Sequence, residues 1–228
     1  MSASAVWGRV EILAMEQLPL DLGTPVAPAQ TVLSRCNEDA YGLLNQWPRW
    51  PHPVVMVRGG PGAGKSHLAA RFSEAAEAVH LAGEALTGER AIGMARQAVV
   101  VDDADRADDR ALFHLINAVR NGGGTMLLTA TSGRFGGLAD LTSRLRAVPE
   151  VVLEAPDDPL LRQVIVDGFQ QRQLAVEPQV VAFLMSRMER TLHDAVRWVE
   201  MLDKTGLAKK RGPTRPLAVE LWRAVDAL

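Results

Sequence analysis

A single cysteine, Cys36, in 228 residues excludes an internal disulfide framework and any metal site built from several thiolates, and suits a reducing cytoplasm. Charge of one sign is also missing. A formal net charge of -2 supplies no global field to draw the chain onto nucleic acid or a membrane surface. No run approaches the ~18 consecutive apolar residues that a membrane-spanning helix needs. The opening MSASAVWGRVEILA, broken by Arg9 and Glu11, does not read as a signal peptide. Repeats and low-complexity tracts are absent as well. What is present is ordinary for a globular chain: 47% hydrophobic and 23% charged residues, with enough length to bury the cores of one medium domain and one small one.

Composition shifts divide the chain in three. Residues 1–30 are aperiodic and punctuated by Pro19, Pro25 and Pro28, which discourage helix and central strand alike, so they read as a flexible tail. Residues 31–156 alternate strand and helix signals. A short helix before WPRWPHP comes first, then VVMVRG, a helix from Lys65 with Leu68, Phe72 and Val79 at helical spacing, the strand AVVVD, a helix with Leu112, Leu115, Ile116 and Val119 on one face, and the strands GTMLLTAT and EVVLEAP. Strands alternating with helices imply an α/β fold, a parallel sheet covered on both faces. Residues 157–228 carry helical periodicity throughout, clearest in the stripe Leu192, Val196, Val199 and Leu202, and predict a smaller, all-helical domain.

The most specific chemical signal is GGPGAGKS, Gly59, Gly60, Pro61, Gly62, Ala63, Gly64, Lys65 and Ser66, a phosphate-binding loop between a strand and a helix. Glycines let main-chain N–H groups converge on phosphate oxygens, and the helix that follows aims its positive end at the anion. Lys65 meets the β- and γ-phosphates of ATP, or the β-phosphate of ADP, and the Ser66 hydroxyl can ligate Mg²⁺. Asp102 ends a buried β-branched strand, VVVD, expected beside the loop's own strand, where a carboxylate can hold the metal's hydration shell. Asp103 follows. It is either a polar strand end or the base that orients an attacking water, with less reach than the glutamate many such ATPases carry there.

Four further residues carry two readings each. Arg144, in DLTSRLRAVPE, lies between predicted strands, in a loop from which a guanidinium can enter a neighbour's nucleotide site or simply solvate the surface. Arg190, in MERTLHDAV, precedes a helix whose dipole opposes a cation, an unfavourable placement that a nucleotide phosphate would relieve. Thr131, ending MLLTAT, can sense a phosphate or cap its strand. His67, just after the loop, reads as a helix-face residue bordering the nucleotide rather than a catalyst. The run Lys209, Lys210, Arg211 reads as solvating the loop before the last helix, with a weak DNA contact as the alternative.

Taken together, the loop GGPGAGKS, the strand-ending Asp102, the sensor position Thr131, the inter-strand Arg144 and the lid segment MERTL resemble the AAA+ ATPases of the DnaA-like clade, over about residues 30–228. By this resemblance the last helices are expected to be the lid, with no counterpart of the initiator's terminal DNA-binding helices among these residues. QLPLDL, residues 17–22, resembles the short peptide by which replication proteins dock on the β sliding clamp, and the Hda family, regulatory inactivators of DnaA, carries one at its amino terminus. An extended segment of this kind would place Leu20 and Leu22 in an apolar pocket and Gln17 at its rim, with Leu18 also counted among the docking residues. The resemblance makes Arg144 an arginine finger and Arg190 the lid arginine. It implies a cytoplasmic, nucleoid- or replisome-associated regulator that binds ADP or ATP with Mg²⁺, partners the clamp and DnaA, and meets DNA mainly through the clamp. Relatives usually carry an acidic residue where Thr131 stands, so weak or no hydrolysis by the chain itself is expected. Self-association as a homodimer stays open. The rival readings are an autonomous AAA+ ATPase or helicase loader, and a clamp-binding module whose nucleotide site is vestigial.

Overall fold

Val54, Val55, Met56 and Val57 are all essentially inaccessible to solvent, and a strand apolar on both faces belongs in the middle of a parallel sheet. The computed structural model, which describes residues 32–131 and 135–226, places it there. Strand β1 (Val54–Gly59) lies between β4 (Thr125–Ala130) and β5 (Glu150–Leu153), and the order across the sheet is β2 (Val79–Ala82), β3 (Ala98–Asp102), β4, β1, β5. Every pairing is parallel. The expected docking residues Gln17, Leu18, Leu20 and Leu22 lie outside the described residues.

Alternation along the strands feeds two cores. On one face Val55, Val57, Val100 and Leu127 meet Leu68 and Phe72 of helix α2 (Lys65–Ala76). Trp50 stacks on Phe72 with ring centroids 4.9 Å apart, so the proline-rich WPRWPHP segment is held against this core after α1 (Glu38–Asn45). On the other face Met56, Val99, Val101, Met126 and Leu128 meet Leu112, Leu115, Ile116 and Val119 of α4 (Asp109–Gly122), the stripe read from the sequence. Fully burying each such side chain contributes ~1.5–3 kcal/mol. Asp108 caps α4, accepting from Ala111 N–H at 2.9 Å, and Gly123 ends it at φ 82°.

The third core is helical. It joins α6 (Asp158–Gln171), α7 (Pro178–Met185), α8 (Leu192–Lys209) and α9 (Arg215–Asp226) through Leu161, Ile165, Phe169, Leu184, Trp198 and Leu202. Cys36 and Val32 also pack into it although they precede the sheet. The junction is pinned where Glu154 N–H donates to the Cys36 carbonyl at 3.0 Å and Ser34 Oγ donates to Asp157, the residue that caps α6. Among the described residues no helix is long and apolar enough to cross a membrane.

Three expectations need correction, and one element is new. The strand ending in Asp102 is not beside β1, because β4 lies between them. Helix α2 stops at Ala76, with Glu77 left-handed at φ 48°, and Val79 opens the edge strand β2 instead of continuing the helix. Arg144 sits in the last turn of a helix, α5 (Ala139–Leu145), and not in a loop. A further short helix, α3 (Gly88–Ile92), covers the rim of the α4 face.

Candidate nucleotide site

The loop from Gly59 to Ser66 leaves the central strand and turns into α2 with two left-handed glycines, Gly62 at φ 70° and Gly64 at φ 103°. Gly64 is the residue immediately preceding α2, so the first N–H groups of that helix open onto the turn. Gly62 is constrained twice over. A Cβ there would lie 2.4 Å from Thr191 Cβ, and its carbonyl accepts from Leu192 N–H at 3.0 Å. The amino end of α8 is therefore seated directly on the phosphate loop. Gly60 and Pro61 are exposed, and Gly59 and Ala63 are buried beneath them.

Lys65 is 7% exposed. Its ammonium donates to the carbonyls of Gly59 at 3.0 Å and Gly60 at 3.1 Å, and it forms no ion pair among the described residues. A buried ammonium with a third donor to spare and no counter-charge favours an anion at this spot.

Beside the loop a cleft of about 500 Å³ opens between the sheet domain and the helical domain, lined by Gly62, Lys65, Ser66 and His67 on one side and by Leu160, Val164, Leu192 and Val196 on the other. That volume lies within the ~300–1,000 Å³ of ordinary ligand clefts, and the lining is mixed as such clefts are: apolar walls and a few polar groups at one end. His67 has its pKa lowered from the usual imidazole value, first by burial and then by Arg71, with Glu74 opposing. It therefore stays neutral at physiological pH and adds no charge to the cleft.

Asp102 and Asp103 lie at the carboxyl end of β3, both partly exposed. Thr129, fully buried on the neighbouring β4, ties them together: its hydroxyl donates to Asp102 Oδ1 and accepts from Asp103 N–H at 2.9 Å. Asp103 is held left-handed at φ 50°. Sequence reasoning chose Thr131, which is exposed just past the strand, and missed Thr129. Strand alternation turns residues 129 and 131 to the same face, but what selects Thr129 is the setting of β4 beside β3, which the sequence does not carry. The oxygen set of Asp102 and Ser66 suits a hard cation such as Mg²⁺. No group of three or more His, Cys, Asp or Glu side chains able to hold a metal by themselves is found among the described residues.

The two arginines have different surroundings. Arg190, exposed on the turn before α8, donates to Asp158 of α6 and to the Met185 carbonyl at 3.2 Å. Arg144 is exposed and makes no ion pair among the described residues. The segment leading into its helix is fixed by Asp109, whose carboxylate accepts from Gly136 N–H at 3.0 Å and Leu138 N–H at 3.1 Å.

Residues 159–221 match the family model described as "Hda, lid domain". Domain III of the Thermotoga maritima replication initiation protein DnaA is similar in structure, with a TM-score of 0.74 and 16% identity over 85% of this chain and 94% of that one. A replication initiator DnaA bound to AMPPCP and single-stranded DNA gives a TM-score of 0.66 and 14% identity, over 79% of this chain and 66% of that chain. The Thermotoga maritima RuvB Holliday junction branch migration motor gives 0.63 and 16%, over 81% and 66%. At such identities the likeness is one of fold. No curated protein sequence matches the chain.

Proposed function

We propose that this chain, an Hda/DnaA-like AAA+ protein by its lid and its fold, regulates initiation of chromosome replication as an adaptor. It holds ADP or ATP in the cleft, docks on the β sliding clamp through residues 17–22, and presents Arg144 to ATP held by the DnaA initiator. The observation that carries this reading is the seating of an Hda-type lid on a phosphate loop, Leu192 N–H on the Gly62 carbonyl. A relative of the same fold has been solved with the ATP analogue AMPPCP, which supports a nucleotide in the cleft. Mg²⁺ bound with the nucleotide would neutralise phosphate charge, and Ser66 and Asp102 are the residues to hold it. Asp103, shorter than glutamate and tied by its own N–H to Thr129, makes a poor base for the chain's own hydrolysis. Little turnover by the isolated protein is expected, whereas substantial turnover would favour an autonomous motor or loader.

The clamp contact is tested by a pull-down with purified clamp. The intact chain should be retained, and a chain carrying Leu20→Ala and Leu22→Ala should lose ~10-fold or more in retention, because a short docking peptide concentrates its energy in a few apolar anchors. Equal retention of the two chains would remove the docking segment from the proposal.

A second expectation concerns the ion pair Arg190–Asp158. If Arg190 serves the nucleotide, it must leave Asp158 to do so, at a cost set by an exposed pair worth ~0–1 kcal/mol. Asp158→Asn should therefore tighten ADP binding by up to ~5-fold in a calorimetric titration. Weaker binding would mean that the pair holds Arg190 in its working position.

A further inference from the structure

Asp194 is 6% exposed, on the first turn of α8, and the nucleotide reading gives it no part. A buried carboxylate is costly unless its oxygens are filled, and here they are. Oδ2 accepts from Glu189 N–H at 2.9 Å and from Trp198 Nε1 at 3.2 Å, while Oδ1 accepts from Arg197 at 3.1 Å. In return Asp194 N–H donates to Thr191 Oγ1 at 3.1 Å. The arrangement is a variant of the capping box, in which the third helical residue reaches back past the cap. Its consequence lies in what it brackets. Glu189 and Thr191, the two neighbours of Arg190 in the chain, are both tied to Asp194, and Thr191 is also the side chain that rests on Gly62.

We propose that Asp194 and Thr191 form a reciprocal clamp that positions the lid's contribution to the nucleotide site. Asp194 is a positioning residue that fixes the turn carrying Arg190 and seats that turn on the phosphate loop, without touching the ligand itself. The inference rests on the nucleotide reading above and specifies how the lid serves the site. The negative charge also faces the amino end of α8, where the helix dipole favours it. Arg190, in the same dipole's unfavourable field, is held in place by the backbone on either side of it.

The test is an ADP titration by calorimetry on the full chain, with melting curves alongside. Arg190→Ala should weaken ADP ~10-fold, the loss of one charge-assisted contact. Asp194→Ala should weaken it by a comparable factor although Arg190 is intact, and the double variant should be no weaker than either single one. Asp194→Asn keeps an acceptor for Glu189 N–H and should recover most of the affinity. Thr191→Val removes the other half of the clamp with little change of shape, and should weaken ADP ~3-fold in the wild-type background and not in the Arg190→Ala background. That comparison decides the matter if Asp194→Ala fails to fold. A purely structural role would lower the melting temperature and leave the losses of affinity independent, so that they multiply. Multiplying losses, or Asp194 and Thr191 variants that bind like the wild type, overturn the clamp alone, whereas a wild-type chain that takes up no ADP overturns the nucleotide reading and the clamp with it.

Discussion

Arg144→Ala should abolish stimulation of DnaA ATP hydrolysis, by ~10³-fold or more, while clamp retention and ADP binding stay at wild-type levels. The separation is expected because of where the residue sits. Arg144 is exposed in the last turn of α5, and its side chain makes no ion pair among the described residues. The helix is anchored instead by buried Leu141 and Leu145 and by Asp109 binding the backbone ahead of it. Truncating such a side chain changes stability by ~0.5 kcal/mol or less. In trans, a guanidinium supplied to the charge developing on a γ-phosphate has no substitute in water, which is why its loss is measured in orders of magnitude. Arg146, also exposed two residues on, is the control: Arg146→Ala should retain most of the stimulation. The measurement is phosphate release by ATP-loaded DnaA with clamp on DNA. Stimulation by Arg144→Ala within tenfold of wild type would take the finger role away from this residue.

How far the sequence could be read follows from how local each signal is. The phosphate loop needs eight consecutive residues, and α4 needs only its own 3.6-residue stripe, so both were legible before any tertiary contact was known. The helical domain was legible for the same reason. Strand β2 was not, because VHLA is four residues long at the sheet edge, half-buried at most, and directly continues a helical pattern that Glu77 ends by adopting a left-handed conformation. Helix α5 was hidden by its length and by the glycines before it. The misplaced neighbour of β1 has a different cause. Sequence order suggests that the second strong strand lies beside the first, but the chain crosses to β2 and returns, so β4 separates the strand of Asp102 from that of the loop. Thr129 matters only through that register, and Asp194 only through the turn it binds. Both are polar residues whose purpose is written in non-local hydrogen bonds, where single-residue patterns are silent.

Lys65→Ala tests the premise beneath every other expectation, and its largest effect should be on ligand-dependent stability rather than on stability itself. In the wild type the ammonium is buried and satisfied by two loop carbonyls alone. Such a charge gains little for the ligand-free fold, since desolvation opposes its hydrogen bonds. Alanine removes both the charge and its desolvation cost, so the ligand-free melting temperature should change little. For the polyphosphate the balance is one-sided: losing two charge-assisted contacts at ~1.5–3 kcal/mol each weakens binding by ~10²–10⁴-fold. Ligand at a hundred times its dissociation constant stabilises a protein by ~2.7 kcal/mol, ~5–10 °C for a chain of this size. ATP at that excess should therefore raise the melting temperature of the wild type by that amount and leave Lys65→Ala nearly unmoved. A variant that still gains several degrees from ATP would show that the loop does not grip phosphate through this lysine, and the positions of Arg190, Asp194 and the lid would then need a different ligand to explain them.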